Sequence, residues 1–302
     1  SIGQVHEAWK DGKRLAVKVQ YPGVADSISS DLRMVKPFAV RLMGLNAADV
    51  DRYMGEVETK LLEETDYILE VERSIEISEA CSVLANVTFP KYYKEMSSSR
   101  IITMDWLPGR HLKEFLETNP SQEIRNQLGQ ALWDFYEFQI HEMRQIHADP
   151  HPGNFLMQEN GTLGIIDFGC VKVIPQDFYY NYFSLINPDN IADDERILKL
   201  FFAIEFLYPP DTAKDLEFYV PLFRKMIEML GVPFQNETFD FGNDQYFDGI
   251  YQFAEDLGNM KELRESKVAR GSKDGLYVNR TYFGLYSLLN QLKANIHTHS
   301  VF

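Results

Sequence analysis

The chain has 302 residues, 45% of them hydrophobic and 25% charged, with a formal net charge of −15. This composition suits a soluble globular protein of one large or two ordinary domains with a sizeable core, and its acidity argues against a basic nucleic-acid surface and against simple electrostatic adhesion to anionic lipid. The two cysteines, Cys81 and Cys170, have no metal-site spacing and suit a reducing compartment; with no apolar run long enough to span a bilayer and no signal peptide, a cytoplasmic location is expected.

The opening is β. Ile2 to Trp9 alternates as a strand, Asp11-Gly12 is a hairpin turn signal, Leu15 to Gln20 is the second strand, and Tyr21-Pro22-Gly23 stops it. Two helical stretches follow. The first runs from Ala25 to Leu45 with a break expected near Pro37, the second from about Ala48 to about Leu84 with apolar residues spaced among acidic ones. Short β pieces return at 87–92 and 100–106, and Pro108-Gly109 ends the latter. Ser121 is the expected N-cap of a helix reaching Glu142. A loop from His147 to Asn154 then leads into strands at 155–157 and 163–166, and from about Asp177 the pattern is mostly helical with aromatic faces. The expected fold class is α+β. A small β-plus-helix lobe (1–107) with a helical insertion precedes a larger, mainly helical lobe (108–302) that carries the loop chemistry.

That chemistry is concentrated in His147-Ala148-Asp149-Pro150-His151-Pro152-Gly153-Asn154, followed thirteen residues later by Asp167-Phe168-Gly169. A phosphoryl group in transfer keeps its negative charge, so catalysis is mainly positioning and charge stabilisation. One carboxylate orients or deprotonates the nucleophile, while an Asn and a second Asp hold Mg²⁺, which prefers hard oxygen ligands. Asp149, Asn154 and Asp167 fit these roles in order, and the five-residue step from Asp149 to Asn154 matches a D-x-x-x-x-N catalytic loop. A lone D-F-G is a common turn sequence; the ordered set is far more specific. Ala16-Val17-Lys18-Val19 matches a strand whose Lys reaches the α- and β-phosphates of ATP. Its acidic partner would come from Glu63, Glu64 or Glu70; Glu63, Glu72 and Glu76 are expected on a solvated face, which leaves Glu64 and Glu70. Met104-Asp105-Trp106-Leu107 sits where backbone groups would read an adenine edge, although a plain strand end reads almost as well. His6, His141, His297 and His299 read as structural or surface residues, and the aromatic run from Phe178 to Phe183 as helix packing.

These residues resemble the UbiB family of atypical protein-kinase-like proteins, linked to isoprenoid quinone (ubiquinone) biosynthesis. The resemblance rests on Ser1 to His6, Ala16 to Gly23, Glu64-Thr65-Asp66-Tyr67, His147 to Asn154 and Asp167-Phe168-Gly169, with Ala148 where ordinary kinases have Arg. It implies a two-lobed protein-kinase-like fold with ATP and Mg²⁺ as cofactors. Asp149 would be the catalytic Asp, and Asn154 and Asp167 the metal ligands. Glu70 would be the helix partner of Lys18, and Glu64 with Asp66 an E-x-D motif near the nucleotide. It also implies ATP hydrolysis in support of quinone synthesis, with isoprenoid lipid or quinone-synthesis enzymes as partners and peripheral association with the inner membrane. The family's K-x-G-Q segment and alanine-rich nucleotide loop would precede Ser1, so a chain trimmed at its N-terminus is expected. Two rival readings share the same core: a true small-molecule or protein kinase, and a pseudokinase scaffold that binds nucleotide or lipid without phosphoryl transfer.

Overall fold

Asp11 and Gly12 both take positive φ, 51° and 76°, the backbone a two-residue hairpin turn needs to match strand twist. They close β1 (Gly3–Lys10) onto β2 (Lys13–Gln20) in antiparallel register, with Lys18 opposite Val5. A computed structural model describes residues 2–43, 47–266 and 270–298. Those residues form two compact units, the first comprising 2–119 and 151–171, the second 120–150, 172–266 and 270–298.

In the first unit β2 is central, paired on its other edge with β4 (Ile101–Asp105). Its inward face carries Ala16, Lys18 and Gln20, all buried. Between these strands lie α1 (Val24–Met43), α2 (Ala47–Glu64) and α3 (Tyr67–Ala80). Two expectations need correction here. α1 continues through Pro37 without a break; proline removes one helical hydrogen bond, and α1 is supported along its length by α2, to which Ser29 bonds through Glu58 and Lys36 through Asp51. The second helix does break. Thr65 and Asp66 donate back to Leu62 and Glu63, and the Asp66 carboxylate accepts the Leu69 N–H at 3.1 Å as the N-cap of a new helix. Gln20 Nε2 fixes the turn by donating to the Thr65 carbonyl at 2.8 Å.

The unit is completed by β3 (Val87–Thr88), α4 (Leu112–Leu116) and the hairpin of β6 (Phe155–Met157) with β7 (Leu163–Ile165). β7 pairs antiparallel with β6 and parallel with β3. The β expected at 87–92 is therefore two residues long, with Tyr92 adding one bridge to Met104, because Pro90 interrupts the ladder.

The second unit is built on α5 (Gln122–His141), capped by Ser121 as expected, and α12 (Lys273–Leu292). The two helices pack together, with Leu128, Leu132 and Phe135 of α5 and Leu285, Leu288 and Leu289 of α12 fully or almost fully buried. β5 (Gln145–His147), β8 (Val171–Val173), α6 (Gln176–Phe183), α7 (Pro188–Ala192), α8 (Asp194–Ala203), α9 (Ala213–Leu230), α10 (Asp244–Asn259) and α11 (Lys261–Glu265) follow in chain order. The helical expectation from 177 onward holds, apart from an unforeseen antiparallel pair, β9 (Thr238–Asp240) with β10 (Asn295–His297). The aromatic faces are core: Trp133 meets Phe234 at 5.2 Å and Phe241 at 6.0 Å between ring centroids. Arg270 forks onto Asp211 through two bonds of 2.9 and 2.8 Å and lies 3.6 Å over the Tyr219 ring.

Candidate functional site

Lys18 is 6% exposed, so its ammonium needs partners inside the first unit. It has two. Nζ donates to Glu70 Oε1 at 2.6 Å and to Asp167 Oδ2 at 3.0 Å. Glu70 comes from the first turn of α3 and is itself 6% exposed. Of the acidic candidates it is therefore Glu70 that meets Lys18. Glu64 ends α2 and Asp66 caps α3. Glu63, expected on a solvated face, is instead half-buried in a 3.0 Å ion pair with Arg73, whereas Glu72 is exposed as expected.

The cluster sets one cation against two carboxylates. Burial pulls Lys18 down, but the charges of Asp167 and Glu70 outweigh it and hold the ammonium above its ordinary range. Burial dominates at Glu70 and pushes its carboxyl up to about 7, against the pull of Lys18. The Tyr67 ring lies 5.1 Å beneath the ammonium and is wholly buried. Gly3 makes this packing feasible: a Cβ there would lie 2.5 Å from both the Tyr67 hydroxyl and the Val19 carbonyl.

Asp167 is placed by its neighbours. The Gly169 N–H donates to its Oδ1 at 2.8 Å, and a Cβ on Gly169 would crowd the carboxylates of both Asp167 and Glu70. Phe168 is fully buried beside Phe89, with centroids 6.0 Å apart. Asn154 stands at the same end of the β6–β7 hairpin: β6 begins after it, and its carbonyl accepts the Ile166 N–H at 3.1 Å. The hairpin thus brings the two backbone positions together across the twelve residues that separate them. A carboxylate and an amide are hard oxygen donors of the kind Mg²⁺ accepts, an ion that takes few protein ligands and completes its shell with water and phosphate. Among the described residues there is no group of three or more His, Cys, Asp or Glu suited to a metal.

Met104 and Asp105 end β4, and Trp106 and Leu107 leave it, as expected of a strand end. Met104 pairs with Ala16. The Asp105 and Trp106 N–H groups already donate to the carbonyls of Lys91 and Arg14. The Asp105 carboxylate is lifted by burial but held low overall by hydrogen bonds from Lys13 and Tyr93, and Arg14 stacks 4.0 Å over Trp106.

Asp149 belongs to the second unit. It follows the buried strand end His147, whose N–H donates to Gln139 Oε1 at 2.9 Å, and its Oδ1 accepts from Arg280 Nη2 at 2.9 Å. Ala148, where ordinary kinases carry Arg, is fully buried. His151 turns its Nδ1 to the Gly153 N–H, a capping role. His141 is structural, hydrogen-bonded to Tyr179 with the Glu137 carboxylate 3.2 Å from its Nε2, and His6 and His297 are exposed; His299 lies outside the described residues. Sequence reasoning missed Arg280, which lies 131 positions from Asp149 with no local motif around it. It also set aside the 178–183 run, whose Tyr182 lines an apolar cavity of about 70 Å³ together with Phe206, Ile227, Leu230, Phe234 and Tyr286. The hydroxyls of Tyr182 and Tyr286 are bonded to Asn279 and to the Leu230 carbonyl.

Among the described residues no helix is long and apolar enough to cross a membrane. The model of the ABC1 atypical kinase-like domain matches residues 1–201. The chain is 26% identical over 303 residues to the mitochondrial atypical kinase coq-8 of Caenorhabditis elegans, covering 98% of this chain and 39% of that protein. It is 25% identical over 316 residues to the mitochondrial atypical kinase COQ8 of Saccharomyces cerevisiae, covering 100% and 59%. It therefore spans about half the length of these curated relatives. Among solved structures, Mycobacterium tuberculosis Rv3197, determined in complex with erythromycin, superposes with a TM-score of 0.72 at 23% identity, over 99% of this chain and 73% of that one. With the family match covering two thirds of its length, this mixed α+β chain belongs to the ABC1 atypical kinase-like family, the UbiB family that its motifs resemble.

Proposed function

We propose that the chain is the ATP- and Mg²⁺-binding body of an atypical kinase or ATPase that supports isoprenoid quinone biosynthesis or lipid metabolism. The observation that carries this reading is the triangle of buried Lys18 and Glu70 with the partly exposed Asp167. Glu70 would keep Lys18 aimed for phosphate oxygens, and the partly exposed Asp167 carboxylate would take a divalent cation. Asn154 and Asp167 would hold the Mg²⁺, whose chemistry is to neutralise phosphate charge. Asp149 would orient or deprotonate the acceptor hydroxyl or water. Glu64 and Asp66 would lie near the nucleotide, with Asp66 acting through the cap it makes on α3. At the 104–107 strand end the Asp105 and Trp106 amides are already engaged, so the Leu107 backbone is the part proposed to read the adenine edge. A two-lobed kinase arrangement dividing near residue 107 belongs to the same proposal.

The lipid side of the reading is supported by the names of the COQ8 relatives. The test is thermal melting with ATP, with and without Mg²⁺, for the wild type and Asp167→Asn. A ligand bound only by the native state raises the melting temperature. A Mg²⁺-dependent rise that Asp167→Asn weakens is expected, with phosphate release as the follow-up. No rise in the wild type would overturn the reading.

A further inference from the structure

The segment around Asp149 is held on both sides within the second unit. Upstream, His147 is fully buried and its N–H is bonded to Gln139 of α5. Downstream, Pro150 lies so close to α12 that a Cβ on Gly284 would fall 2.1 Å from Pro150 Cγ and 2.6 Å from its Cβ. Real Cβ atoms do not approach below 3.0 Å, so Gly284 is a seat shaped for Pro150. One helical turn earlier, on the same face of α12, Arg280 donates to Asp149 Oδ1 at 2.9 Å.

We infer that α12 is the template for this loop, with Gly284 fixing the backbone beside Asp149 and Arg280 anchoring its carboxylate through Oδ1. Both are positioning residues. The Arg280 and Asp149 side chains are 57% and 38% exposed, and an exposed ion pair contributes little stability. What the pair does is select one rotamer of a side chain that chemistry needs in one place. α12 itself is rigid: Val278, Thr281, Leu285, Leu288 and Leu289 are at most 1% exposed. The template lies wholly beyond residue 201, where the family match ends.

The functional half of this inference rests on the proposed role of Asp149; the positioning half does not. The experiment therefore has two arms on the full chain. In the first, hydrogen exchange is followed in peptides covering 147–154 for the wild type, Arg280→Met and Gly284→Ala. Gly284→Ala is expected to speed exchange at Ala148 and Asp149 at least five-fold while the peptide around Lys18 is unchanged. In the second, phosphate release is measured. Arg280→Met is expected to lower kcat at least ten-fold with KM for ATP unchanged, Arg280→Lys to recover part of the loss, and Arg280→Met added to Asp149→Asn to cause no further loss. Unchanged exchange in Gly284→Ala, or a wild-type kcat in Arg280→Met, overturns the inference. A wild type that releases no phosphate would defeat the ATPase reading, and the exchange arm would still decide whether α12 holds the loop.

Discussion

Glu70→Gln removes a titrating proton from the Lys18 cluster while keeping its shape. In the folded protein burial lifts the Glu70 carboxyl from its ordinary 4.5 to about 7. A group whose folded pKa is raised contributes stability that is fully present below the unfolded value and is lost as pH rises through the folded one. The window is therefore pH 4.5 to 7, with wild-type stability falling as pH increases. At about 1.4 kcal/mol per pH unit the loss amounts to about 3 kcal/mol. Lys18 stays protonated across the whole range and adds no slope. Acids remote from the cluster are common to both proteins and cancel in the difference. The assay is paired melting of the wild type and Glu70→Gln at half-unit steps from pH 4.5 to 8. At roughly 2 °C per kcal/mol the wild type should lose about 6 °C relative to the variant. A flat difference would refute the reasoning. So would the opposite slope, which would mean that the pull of Lys18 exceeds the effect of burial and Glu70 is held low.

Two further perturbations test the packing that builds the site. Ala148→Arg, which restores the residue of ordinary kinases, would drive a guanidinium into a fully buried position; a loss of at least about 4 kcal/mol is expected, seen as failure to express solubly or as a large fall in melting temperature, whereas Ala148→Ser should cost about 1 kcal/mol. Gly3→Ala should destabilise by about 1–3 kcal/mol in denaturant titration, and Tyr67→Phe should not rescue it, because the Val19 carbonyl obstructs the new methyl as closely as the Tyr67 hydroxyl does.

What was legible in the sequence was local. The Asp11-Gly12 turn, the Ser121 cap and the hairpin from Phe155 to Ile165 each carry their cause within a few residues, and each appears where the pattern placed it. Lys18 was found through its strand motif. Its partner was narrowed only to Glu64 or Glu70, because choosing between them depends on where α3 starts. That start is set by Asp66, whose capping role was hidden inside an apolar periodicity that runs across it. Pro37 misled in the opposite direction, since neighbouring helices can sustain a helix that propensity alone would end. Arg280 and Gly284 were illegible for a different reason. Their significance lies in what they touch, and nothing on α12 signals a contact with residues 149 and 150.

The hairpin that brings Asn154 beside Asp167 works as a pair of tweezers with a fixed gape. Its mouth is closed by the Ile166 to Asn154 bond, and its strands are only three residues long, so the separation of the two residues along the backbone is set by strand register and not by the turn at 158–162. Residues may be added at that distal turn without altering the gape. A single residue inserted into either strand would rotate one jaw to the opposite face. Loop length at 158–162 is thus the part of this hairpin open to variation, and strand length is the part that is not.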